Sequence, residues 1–127
     1  MTVQTARIAV TTIGSAGSAT GTDYSTSSVD GEVFAIRVDW HASAPGATSD
    51  IVITVDSDDY HPSITLYSKS DSATDAWVYP VVQSTDTAGS AVAGQYQHIL
   101  ASGKIKVAIT GCNALTDAAV VYVYLRR

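Results

Sequence analysis

A chain of 127 residues with one cysteine, one methionine, one phenylalanine and one glutamate is defined first by what it cannot do. The lone Cys112 leaves no partner for an intrachain disulfide, so folding does not depend on an oxidising compartment. With Glu32 the only glutamate, nothing marks it and a particular aspartate as the facing carboxyl pair of a glycosidase. Charged residues make up 15% of the chain, against ~25% in ordinary globular proteins. The seven basic residues (Arg7, Arg37, Lys69, Lys104, Lys106, Arg126 and Arg127) are scattered in sequence. Phosphate recognition needs clustered cations, so direct nucleic-acid binding is not expected. No apolar run approaches the ~18 residues of a membrane span. The opening MTVQTARIAV lacks the basic segment and apolar run of a secretory signal. The expectation is a soluble domain made in the cytoplasm, without membrane contact. No GxSxG elbow, GxGxxG turn or GxxxxGK[ST] loop occurs.

What remains is rich in Thr, Ser, Ala, Val and Gly, 46% hydrophobic, with net charge −5 and a mean hydropathy of +0.14. Such a composition suits strands and tight turns. A domain of this size buries roughly two thirds of its unfolded surface, enough for one core without metal or disulfide. The clearest strands are at the end. Ile105, Val107 and Ile109 alternate with Lys104 and Lys106, and Ala119, Val121, Val123 and Leu125 alternate with Val120, Tyr122 and Tyr124. Side chains in a strand alternate faces with period two. The lysine-bearing face is solvated, whereas Val120, Tyr122 and Tyr124 form a face too apolar for water alone and mark an interaction surface.

Further strands follow from the same alternation. Thr5 to Ile13 carries Ile8 and Val10 on one face. In the segment 31–40, Phe34, Ile36, Val38 and Trp40 are expected inward. Ile51, Ile53 and Val55 line a strand over 50–56, and Ile64 and Leu66 another. Residues 77–82 form a short strand broken by Pro80, which points to an edge or bulge. Residues 96–100 are expected to pair with 104–109, and 118–125 closes the chain. The stretches 14–28 and 84–95, rich in small and polar residues, read as long loops. The result is an all-β, single-domain β-sandwich of about eight short antiparallel strands, jelly-roll-like. Residues 1–30 form an N-terminal strand and a flexible Gly/Ser-rich arm or loop, and 31–127 the sandwich, one domain overall. The strand over 2–13 has the length and composition to add to a neighbour's sheet edge, which makes Ile8 and Val10 interface candidates.

Three features invite chemistry. Asp56, Asp58 and Asp59 with Ser57 offer oxygens to a calcium ion but lack the glycine and terminal glutamate of an EF-hand, and Asp and Ser equally cap turns; the turn is the expected role, with no metal and no cofactor. His41, His61 and His98 lack zinc spacing, although His41 and His61 each follow an aromatic residue at a strand end. The many Tyr and Trp residues, Trp40, Tyr60, Tyr67, Trp77, Tyr79, Tyr96, Tyr122 and Tyr124 among them, fit a core, a protein interface or a sugar platform. No catalytic constellation emerges, and no enzymatic activity is expected.

The succession GEVFAIRVDWHASAPGATSDIVITV, WVYPVVQSTDTAGSAV and GKIKVAITGCNALTDAAVVYVYL, covering about 31–125, resembles small decoration, cement or minor head proteins of tailed bacteriophages. The resemblance lies in the order of the three stretches. It implies a β-sandwich on the outside of an assembled capsid, often a homotrimer at threefold positions, with the major capsid protein as partner, the virion surface as location and no catalytic residues. A carbohydrate-binding sandwich of a head or tail fibre is the alternative, resting on the aromatic count and the acidic turn.

Overall fold

Strict alternation at the C-terminus sets the architecture, because the strand it produces lies inside a sheet rather than at an edge. In the computed structural model, which describes residues 2–43, 45–56 and 62–127, the chain forms ten strands and no helix among those residues. They are β1 (Val3–Val10), β2 (Ala19–Tyr24), β3 (Val29–Trp40), β4 (Asp50–Val55), β5 (Ile64–Lys69), β6 (Ala76–Val78), β7 (Val81–Thr85), β8 (Ala91–Gly103), β9 (Ile105–Cys112) and β10 (Ala119–Arg126). β10 lies between β1 and β3 and buries Ala119, Val121, Val123 and Leu125 completely.

Two antiparallel sheets result. One runs β1-β10-β3-β8-β7, with β6 also paired to β3; the other runs β2-β9-β4-β5. The protein is an all-β sandwich, as its alternation predicts. The pairing is nested: β1 with β10, β2 with β9, β3 with β8 and β4 with β5, so the chain is a long antiparallel ribbon folded over on itself. The contacts β10 to β3 and β9 to β4 close the fold. Only β6 and β7 stand outside this nesting.

The core lies between the sheets. Ile8, Val10, Val33, Ile36 and Val38 meet Ile51, Ile53, Val55, Ile105, Val107 and Ile109 there, each 1% exposed or less. Trp40, 7% exposed, fills one end, and its backbone N–H donates to Asp75 Oδ1 at 2.7 Å. Buried polar groups cost free energy unless bonded, and the three buried hydroxyls all are. Thr12 Oγ1 donates to the Asn113 carbonyl (2.7 Å) and accepts from Leu115 N–H (3.0 Å). Ser25 Oγ donates to the Ser27 carbonyl and accepts from Ile105 N–H. Ser49 Oγ donates to the Gly46 carbonyl. Cys112 is buried and free.

Several expectations change. The stretch 14–28 contains β2, which pairs with β9; its Gly and Thr content hides a strand that folds tightly over β1. Gly21 sits so close to the Thr11 carbonyl oxygen that any Cβ there would collide with it. β1 and β2 are therefore part of the sandwich, and β1 is in register with β10 along its whole length, from Val3 opposite Arg126 to Val10 opposite Ala119. Ile8 and Val10, at 1% and 0% exposure, belong to the core and are not available to a partner. Phe34 is not inward either. The register slips between Tyr124 and Leu125, which face Ala35 and Val33, leaving Phe34 as a bulge residue. A bulge inserts one unpaired residue and resets the alternation, so Val33 takes the core position and Phe34 turns to the outer face. β8 pairs with β3 and β7, not with β9, which lies in the other sheet.

Candidate interaction surface

The outer face of the six-stranded sheet is built by cross-strand register. Arg7 on β1 lies opposite Tyr122 on β10, Tyr122 opposite Arg37 on β3, and Arg37 opposite Trp77 on β6. Directly opposed side chains in an antiparallel pair sit ~5 Å apart at Cβ and interact. Here they alternate cation, ring, cation, ring across four strands. The Arg7 guanidinium lies 6.0 Å from the Tyr122 ring centroid and that of Arg37 5.7 Å from the Trp77 ring. Each such contact is worth roughly 0.5–1 kcal/mol at an exposed site.

One step along the strands lies Tyr124. Its ring stacks on Trp77 at 5.9 Å and 25°, and meets the bulged Phe34 at 6.2 Å and 45°. Arg126 covers the other aromatic end, 5.5 Å from the Phe34 ring. Its guanidinium also meets Glu32 (3.3 Å) and His98 Nδ1 (3.0 Å), while its Nε is buried without a hydrogen-bond partner. Arg37 pairs with Asp75 at 3.7 Å. Trp77, 53% exposed, and Leu100, 69% exposed, complete the apolar part of the face.

The sequence expectation of a surface at Val120, Tyr122 and Tyr124 meets a structure in which all three point outward and are half-buried by neighbours on the same face. The arginines were missed. They are dispersed in sequence, and only register gathers them. Three of the four, Arg7, Arg37 and Arg126, come to this sheet's outer face, whereas the lysines belong to the other sheet: Lys69 on β5, Lys106 on β9 and Lys104 just before it. Arginine stacks on aromatic faces where lysine remains a hydrated point charge, which makes this segregation chemical as well as spatial. The readable signal was the i, i+2 spacing of Tyr122, Tyr124 and Arg126 on one strand.

Of the two tryptophans, Trp40 fills the core and Trp77 does not. Tyr79 and Tyr96, 66% and 61% exposed, lie beside the hairpin β7–β8 or on it. That hairpin is exposed on both faces over most of its length, so the stretch read as a loop over 84–95 is largely strand.

Of the acidic turn, Asp58 and Asp59 lie outside the described residues, as do Ser57, Tyr60 and His61. The backbone N–H of Asp56 donates to the Lys104 carbonyl at 2.8 Å. Among the described residues no group of three or more His, Cys, Asp or Glu is placed to hold a metal ion, and no helix is long and apolar enough to cross a membrane. His41 Nδ1 accepts from Ser43 N–H, and His98 belongs to the Arg126–Glu32 cluster. A shallow depression of about 470 Å³ is lined by Gly31, Glu32, Leu100, Arg126 and Arg127 at the rim of the same face. Comparison with protein families, curated proteins and solved structures finds no match to this chain.

Proposed function

We propose that this protein is a structural component of a tailed-phage virion that binds the capsid exterior and stabilises the head, acting as an oligomer through non-covalent contacts, without catalysis. The observation that carries this reading is the Arg7–Tyr122–Arg37–Trp77 row with Tyr124 and Phe34 packed beside it. Tyr, Trp and Arg are the residues that dominate binding energy at protein interfaces. Here they hold one another in place before any partner arrives, which lowers the ordering cost of association. The nested strand pairing supports a jelly-roll reading, an architecture shared by viral capsid and lectin domains. The resemblance to decoration proteins over 31–125 agrees with both. The partners are then the major capsid protein and other copies of this chain, and the location is the head surface.

Charge substitution tests the reading. Tyr122→Asp puts a carboxylate between Arg7 and Arg37 without touching the core. It is expected to abolish head binding while leaving the fold intact. A Tyr122→Asp variant that still decorates heads at wild-type occupancy removes this face from the interface.

A sugar-binding module is the second reading, favoured by the exposure of Tyr79 and Tyr96. Trp77 serves it less well, because Tyr124 stacks on its ring and Arg37 lies over it.

A further inference from the structure

Five strands have a single strand partner among the described residues: β1, β6 and β7 in one sheet and β2 and β5 in the other, with β2 also bridged to Ile13 at Thr20. An open edge is a template for pairing with another chain, and proteins commonly block it with charge. β1 carries Arg7, β2 carries Asp23 and β5 carries Lys69. β6, Ala-Trp-Val, and β7, Val-Val-Gln-Ser-Thr, carry no charge, and of these two only β7 is longer than three residues.

β7 has no buried residue. It pairs only with β8, in a register that shifts between Gln83 and Thr85, and the residues of β8 opposite it, Ala91 to His98, are mostly exposed. Val81, Val82 and Tyr96 are 48%, 42% and 61% exposed. A two-stranded hairpin with both faces in water is marginal, and a third strand brings stability. Charge selects the occupant. The chain carries a net charge of −5, so two copies repel over most of their surface, yet between Tyr79 and Gln97 the only charged residue is Asp86, at the hairpin tip.

We propose that β7 is a self-association edge: two copies pair their β7 strands antiparallel about a twofold axis through Gln83. Gln83 then faces Gln83 of the second copy, Val82 faces Ser84 and Val81 faces Thr85. The two six-stranded sheets become one continuous sheet, joined by main-chain hydrogen bonds in the manner of strand addition. The contact is isologous and closes at two copies. It uses none of the Arg–aromatic row, so head binding through that row and pairing through β7 fail separately, although both readings have copies of this chain associating.

The test is a charge swap at the axis. Gln83 is exposed and its amide makes one hydrogen bond, to the Val92 carbonyl at 3.2 Å. In Gln83→Glu two carboxylates face each other, and in Gln83→Lys two ammonium groups do. Light scattering and sedimentation equilibrium are run at low salt on each variant and on their equimolar mixture, with circular dichroism confirming the fold. Wild-type protein is expected at twice 13.2 kDa. Each variant alone should weaken the dimer roughly tenfold or more, and the mixture should restore it. A wild-type monomer at every concentration, an assembly that neither charge weakens, or a mixture no tighter than the single variants overturns the proposal.

Discussion

Whether the N-terminal segment is an arm or a strand is decided by one methyl-rich side chain. Ile8 is 1% exposed, lies in the core and sits opposite Val121, which is fully buried on β10. Ile8→Ala removes three carbons from a site with little room to collapse, because the partners on β10 are held by β3 on their other side. Substitutions of this kind cost about 2–5 kcal/mol. A domain of this class is stable by ~5–15 kcal/mol in total, so the loss is a large fraction. At roughly 3–6 °C per kcal/mol for a chain of this length, the midpoint should fall by about 10–20 °C. Arg7→Ala, one residue away, removes only an exposed contact to Tyr122 and should cost less than about 1 kcal/mol. The assay is thermal and urea unfolding of both variants, followed by circular dichroism. If β1 were an arm waiting for a neighbour's sheet, the two variants would melt alike and close to wild type. An Ile8→Ala loss below ~0.5 kcal/mol would refute the placement of β1.

Other consequences follow from the same packing. Tyr124→Ala deletes two ring contacts, each worth about 0.5–1.5 kcal/mol, so stability should fall by ~1–3 kcal/mol, and the emission of Trp77, the exposed tryptophan, should shift while that of Trp40 does not. Gly111 has φ +62° and a Cβ there would collide with the Thr48 carbonyl oxygen; Gly111→Ala should destabilise by more than the ~1 kcal/mol of strain that φ alone imposes, measured by urea unfolding. Chelator and millimolar calcium should leave the melting temperature and tryptophan emission unchanged, and so should added sugars; a calcium-dependent response to a glycan would favour the sugar-binding reading.

Much of the sandwich was legible because its central strands alternate without interruption. β9 and β10 each sit between two neighbours, and burial on one face imposes a period of two that Ile105, Val107, Ile109 and Val121, Val123, Leu125 display. Where a strand is not buried in this way the pattern fades. β2 reads as loop because Thr20, Thr22 and Asp23 are exposed and Gly21 is demanded by the close approach of Thr11. β7 and the first half of β8 read as loop because neither face is buried, so no alternation is imposed. Phe34 was misplaced by a bulge, which is a property of the pairing with β10 rather than of β3 itself. Of the candidate surface, Val120, Tyr122 and Tyr124 are visible as an apolar stripe on one strand. The arginines that interleave with them come from β1 and β3 and are brought there by register alone.

The most direct test of the account is co-sedimentation with heads. Under the proposed virion reading, purified protein is mixed with intact heads of a tailed phage that carries its coding sequence, and bound copies are counted in the pellet for wild type and for Tyr122→Asp. The account predicts saturable binding of the wild type and a variant that stays in the supernatant with an unchanged melting temperature. Wild-type protein that remains in the supernatant, or a variant that pellets at the same occupancy, contradicts it.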